Sequence, residues 1–179
     1  MGFDMIGAWT YEVLPGLPAY GPLAEPFSPT GQGKHREGLV VRFTSETGES
    51  WAGNFQRDLG GIDRIVDHPN GSAIIVIAGG QGYIVDPTSR KCLGYLIKSL
   101  FVVAELNSIV LGNNLEFEAI CATGFLWRSR RVSWDEMRNL SISDLTLTGE
   151  ASDLGELWIP FAIDLVTGEV SGGSYTGPG

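Results

Sequence analysis

Apolar and polar positions alternate along most of the chain with a period of two, the signature of strands with one buried face. The clearest stretch is Ser72–Ile97. Its near-continuous apolar run, Ala73–Ala78, is the longest in the chain and reads as a strand. A glycine turn at Gly79–Gly82 leads into a second strand at Tyr83–Asp86, and a proline turn leads into a third at Lys91–Ile97. Three strands and two tight turns make one antiparallel meander.

Similar pieces flank it. Leu39, Val41 and Phe43 alternate with Val40, Arg42 and Thr44, a turn follows at Ser45–Gly48, and Ser50–Gln56 reads as the return strand. Ile62–Val66 is a short apolar piece closed by Asp67-His68-Pro69-Asn70-Gly71, whose Pro and Asn-Gly favour turns. Leu100–Leu106 and Ser108–Leu111 come next. The hairpin Leu115–Cys121/Phe125–Arg131, with loop Ala122-Thr123-Gly124, places Glu118 opposite Arg128 and Glu116 opposite Arg130. Its other face then carries Phe117, Ala119, Trp127 and Ser129. A slip of one residue would turn the charges inward, which favours this register.

Ser133-Trp134-Asp135-Glu136 has the form of a capping box with Val132 and Met137 at the staple positions, and predicts one short helix near 134–139. Leu140/Ile142 and Leu145/Leu147 alternate around a turn at Ser143-Asp144. A last hairpin runs Leu157–Asp164, turn Leu165–Gly168, then Glu169–Gly172. Pro15–Gly33 breaks the pattern: five of the nine prolines fall between Pro15 and Pro29, which excludes a regular central element. The expected organisation is a Pro/Gly-rich arm over 1–36 and a single all-β domain over 37–179.

Thr or Ser recurs in similar turns at 47, 89, 123 and 167, spaced by 42, 34 and 44 residues. Asp86 and Asp164 stand three residues before theirs, where a carboxylate accepts N–H groups of the turn. A period near 40 built from hairpins suits propeller-like small sheets, with a β-sandwich or irregular barrel as the alternative. Ile77–Pro87, Leu115–Asp135 and Trp158–Tyr175 resemble a group of small bacterial proteins to which no activity is assigned. The Asp-x-x-Ser/Thr hairpins are similar to blades of WD40-type and quinoprotein-type propellers, although the WD40 Trp-Asp dipeptide is missing from all four turns. Neither resemblance implies a functional residue.

Composition narrows the function classes. With 43% hydrophobic and 18% charged residues in 179, a sizeable core is expected and disorder is not. The net charge of −9, with no Lys/Arg cluster beyond Arg128–Arg131, disfavours nucleic acid and suits a basic protein partner. No apolar segment reaches the length that spans a bilayer, and residues 1–14 lack the features of a signal peptide. Ile6 replaces the Ser or Thr of a myristoylation signal. The expectation is a cytoplasmic bacterial protein without membrane contact. Cys92 and Cys121 read as free thiols in strand patterns.

Candidate chemistry is sparse. Gly79-Gly80-Gln81-Gly82 lacks the Lys-Ser/Thr of a phosphate loop and runs into a strand. Asp63, Asp67 and His68 read as turn residues before metal ligands, and His35 has no evident partner. Glu116 and Glu118 lie on one strand face, the pairing glycoside hydrolysis uses, yet cross-strand arginines favour the ionised form of both. Trp51, Trp127, Trp134, Trp158, Tyr83, Tyr95 and Phe161 read mainly as core, with Trp134 the most exposed. The reading is therefore a non-enzymatic protein-binding module of inhibitor or immunity type, with no catalytic residue, cofactor or metal. Its binding residues would be Glu116, Glu118, Arg128, Arg130 and Trp134. A carbohydrate-binding or glycoside-acting protein and a homo-oligomeric structural protein are the alternatives.

Overall fold

In the computed structural model, residues 5–6, 9–30, 37–59 and 61–178 are described, with backbone alone at 5–6 and 93–96. His35 and the Tyr95 side chain lie outside them. The fold is all-β, in four small sheets. By contacts the chain forms two compact units, Met1–Ile97 and Lys98–Gly179.

In the first unit, one sheet holds β1 (Met5–Ile6), β2 (Trp9–Leu14), β3 (Glu25–Phe27), β4 (Leu39–Ser45) and β5 (Ser50–Phe55), ordered β1-β2-β4-β5-β3. Three of these strands, β1, β2 and β3, lie within the segment 1–36 expected to be an arm. The second sheet is the expected meander: β6 (Arg64–Asp67), β7 (Ile74–Ala78), β8 (Gln81–Asp86) and β9 (Lys91–Leu96). All five residues of β7 are buried, as its unbroken apolar run demands. Gly79 and Gly80, at φ +56° and +88°, make the two-residue turn between β7 and β8. Successive positive φ values are what such a hairpin turn needs, and glycine adopts them without strain. Trp9, Phe43, Trp51, Phe55, Ile74, Val76 and Tyr83 belong to one core shared by the two sheets.

The second unit repeats the plan. One sheet runs β10 (Ser99–Val103), β11 (Ser108–Gly112), β12 (Phe117–Cys121), β13 (Gly124–Arg128), with a 3₁₀ turn at Ala104–Leu106. The other runs β14 (Met137–Ser143), β15 (Thr146–Ser152), β16 (Trp158–Asp164), β17 (Val170–Gly172). Phe117, Ala119, Trp127, Leu147, Phe161 and Ile163 anchor their shared core.

The same device links the sheets within each unit. Asp86 Oδ1 accepts the N–H groups of Thr88 (2.9 Å) and Ser89 (3.3 Å), and Asp164 Oδ1 accepts those of Val166 (2.8 Å) and Thr167 (3.0 Å). The carbonyl one residue after each Asp then receives a buried indole. Trp51 Nε1 donates to the Pro87 carbonyl (3.1 Å), and Trp127 Nε1 donates to the Leu165 carbonyl (2.9 Å). The two tryptophans are 76 residues apart and the two carbonyls 78, so the closest repeat is a pair of sheets.

The β12–β13 hairpin keeps the expected pairing of Glu118 with Arg128 and of Ala119 with Trp127. Phe117, Ala119, Trp127 and Ser129 are buried on one face, as the register requires. Nearer the tip, Cys121 faces Gly124 and Ile120 faces Phe125, so the loop is one residue shorter than expected and a bulge absorbs the difference. The short helix expected near 134–139 is absent: residues 134–136 form a bend and β14 begins at Met137. Ser133 Oγ does accept the Asp135 N–H (3.2 Å), as a cap would, but donates to the Glu136 carbonyl (2.7 Å). The Ser152 N–H also bonds the Glu136 carbonyl (2.9 Å), so strand pairing with β15 overrides the local helix signal.

Candidate functional site

The expected binding residues do not form one constellation. Glu116, Glu118 and Arg128 do meet: the Arg128 guanidinium lies 3.0 Å from Glu118 and 3.8 Å from Glu116. Arg130 turns elsewhere, donating to the carbonyls of Gly172 (2.6 Å) and Arg131 (3.1 Å). Trp134 is half-buried, edge-on to Tyr175 at 4.6 Å. The Arg131 guanidinium lies over both rings and donates to the carbonyls of Ser133 (2.8 Å) and Trp134 (2.7 Å). Of the other tryptophans, Trp51 and Trp127 are buried and Trp158 is half-buried.

Beside Trp134 lies a surface that the sequence reading did not single out. The Trp134 N–H donates to the Ser152 carbonyl (3.3 Å), so residues 134–136 run alongside the end of β15. The chain then turns through Asp153–Leu157 into β16. Asp153 Oδ1 organises this loop by accepting the N–H groups of Gly155 (2.7 Å) and Leu157 (3.2 Å). The loop presents Leu154 and Leu157 to solvent, 67% and 63% exposed. Leu154 is held at φ +70°, a left-handed conformation that a branched, bulky side chain rarely adopts.

Asp135 and Glu136, on the segment beside the end of β15, and Glu156, within the loop, are exposed, and Asp153 is half-exposed. None of these four acids forms an ion pair among the described residues. The nearby arginines are already engaged. Arg131 holds backbone carbonyls, and Arg138 binds Glu150 (2.8 Å) while stacking over Trp158 at 4.0 Å. Arg138 and Asn139 together hold the Glu150 carboxyl below its ordinary range. The second unit has eleven of the 21 acids and five of the 12 bases, so it carries −6 of the chain's −9. Such a surface can take an apolar side chain flanked by cations.

The other candidates are committed to structure. Asp63 accepts the Gly79 N–H (2.8 Å) and pairs with Arg57. His68 Nδ1 accepts the Asn70 N–H (3.1 Å), and burial holds its pKa below the ordinary value. No three metal-ligating side chains cluster among the described residues. A depression of about 470 Å³ in the first unit is bordered by Ala73, Ile84, Asp86, Lys91 and Cys92, of which Asp86 is engaged in its turn. No helix among the described residues is long and apolar enough to cross a membrane. Compared with known proteins, the chain matches no family model and no curated relative.

Proposed function

We propose that the protein is a non-enzymatic binding module that covers a basic surface on a partner protein. The observation that supports this most is the Asp153–Leu157 loop: two exposed leucines, one in a left-handed conformation, on a loop that holds two acids and adjoins a segment with two more, none of the four in an ion pair among the described residues. Apolar anchors inside a charged rim are how protein interfaces divide their work: the centre holds, and the rim steers and selects. Occlusion of a partner's basic face, as an inhibitor or immunity-type protein performs it, requires no catalytic group. The Glu116/Glu118/Arg128 ladder is largely neutralised by its own ion pairs and is not assigned to this surface.

The test is affinity capture from native lysate at low and moderate salt, run beside the variant Asp135→Asn/Glu136→Gln/Glu156→Gln. The reading predicts a basic protein retained by the wild type, released as salt rises, and retained weakly by the variant. Equal retention by both chains, or no salt-sensitive retention at all, would overturn it.

A further inference from the structure

Strand β3 stands apart from every other strand. It is three residues long, lies among prolines, and pairs in parallel with β5, whereas all other pairings among the described residues are antiparallel. Glu25, Pro26 and Phe27 face Gly53, Asn54 and Phe55. The Phe27 carbonyl accepts the Gln56 N–H (2.9 Å), which turns the backbone of residues 25 and 27 toward β5. Pro26 therefore faces outward, where its missing N–H matters least. Without β3, the long β5 would be an open sheet edge.

Two side chains hold this strand. Phe27 stacks on Phe55 at 4.9 Å and lies 6.0 Å from Trp51. Gly53 makes the space: a Cβ there would sit 2.6 Å from the Phe55 ring and 3.1 Å from Phe27. Glu25 receives the Arg90 guanidinium at 2.6 Å, and that guanidinium also lies over Trp51 and reaches Glu49. The approach to the strand is not packed down. Tyr20 and Leu23 are 94% and 91% exposed, and Leu17 is exposed as well. Ten residues separate β2 from β3, about 35 Å of extended chain. The contacts that seat β3 are thus an aromatic slot, an arginine clamp and an edge backbone, which together make a site for a short peptide.

We propose that the β5 edge is a strand-addition site for an extended acidic-Pro-aromatic segment of a partner protein, and that Glu25-Pro26-Phe27 is its resident occupant. The inference does not depend on the acidic loop of the second unit. A partner segment of this pattern would displace β3 and release the exposed Leu17–Leu23 stretch with it.

The experiment uses the full chain and a fluorescein-labelled peptide of residues 22–30 (PLAEPFSPT), with anisotropy as the readout. Phe27→Ala empties the slot and is expected to bind the peptide at least tenfold tighter than the wild type. Adding Arg90→Glu should abolish that binding, and the peptide carrying Glu25→Arg should restore it. If Phe27→Ala does not fold by circular dichroism, Glu25→Ala loosens the resident strand and takes its place. A folded variant that fails to bind overturns the proposal. So does one that binds a scrambled peptide equally well, or one that shows no charge-swap rescue. Wild-type chain that self-associates through the slot, with association lost in Phe27→Ala, would identify a second copy as the outside occupant and supports the site.

Discussion

Replacing Leu154 by glycine separates what the loop does for stability from what it does for binding. A non-glycine residue in the left-handed region costs about 1–2 kcal/mol, and Gly removes that cost. Gly also loses about 0.5–1 kcal/mol more on ordering the chain. With two thirds of Leu154 in solvent, only about 0.7 kcal/mol of apolar burial is at stake. These terms nearly cancel, so Leu154→Gly should leave stability unchanged to within about 1 kcal/mol. Leu154→Ala keeps the strain and loses the burial, so it should fall below Gly by about 0.5–1 kcal/mol. Urea unfolding of the full chain, followed by tryptophan fluorescence, measures both. Alanine at or above glycine would refute the reasoning, because φ +70° would then carry no strain. If glycine matches leucine in stability but loses the basic partner, the exposed side chain serves binding.

Three further outcomes follow from other parts of the molecule. Trp127→Phe keeps an aromatic ring but leaves the buried Leu165 carbonyl without its indole donor. It should cost about 2–4 kcal/mol, measured by urea unfolding, and a loss under about 1 kcal/mol would refute the docking role. The Cys121 thiol is held below its usual range by the Thr123 hydroxyl and turn N–H groups, whereas burial pushes Cys92 up to about 11. At pH 7.5 an aromatic disulfide reagent should therefore show one fast thiol, lost in Cys121→Ser and kept in Cys92→Ser. Burial also favours neutral His68 in the folded state, while the unfolded chain takes up a proton below its ordinary 6.5. Its contribution is present above that value and lost as pH falls through the folded pKa. Thermal midpoints should therefore drop from pH 7 to 5, and less so in His68→Asn.

The elements legible in the sequence were those fixed by neighbouring residues. Unbroken apolar character made β7 evident, and the Gly79–Gly82 run marked its turn, although Gln81 and Gly82 already belong to β8. The Asp86 and Asp164 turns followed from a carboxylate placed three residues before Ser or Thr. Alternation set the face of β12–β13 that buries Phe117 and Trp127. What escaped depends on distant partners. The capping box at Ser133 is a sound local signal, but the Ser152 backbone claims Glu136 from 16 residues away. Pro26 hid β3, because proline argues against a strand unless that strand lies at an edge with its nitrogen outward. Trp51 and Trp127 read as core without revealing that each seats on the Asp turn of the neighbouring sheet in its unit. Leu154 and Leu157 look like core residues in sequence. The one available signal was their setting, Asp153-Leu154-Gly155-Glu156-Leu157, where acids and a glycine interrupt the alternation.

The most direct test of the binding surface is amide hydrogen exchange on the full chain with and without the captured partner. Protection concentrated at residues 134–136 and 153–157 is the predicted result. Protection confined to the β12–β13 hairpin or to the first unit, with the loop exchanging as freely as before, would contradict the account.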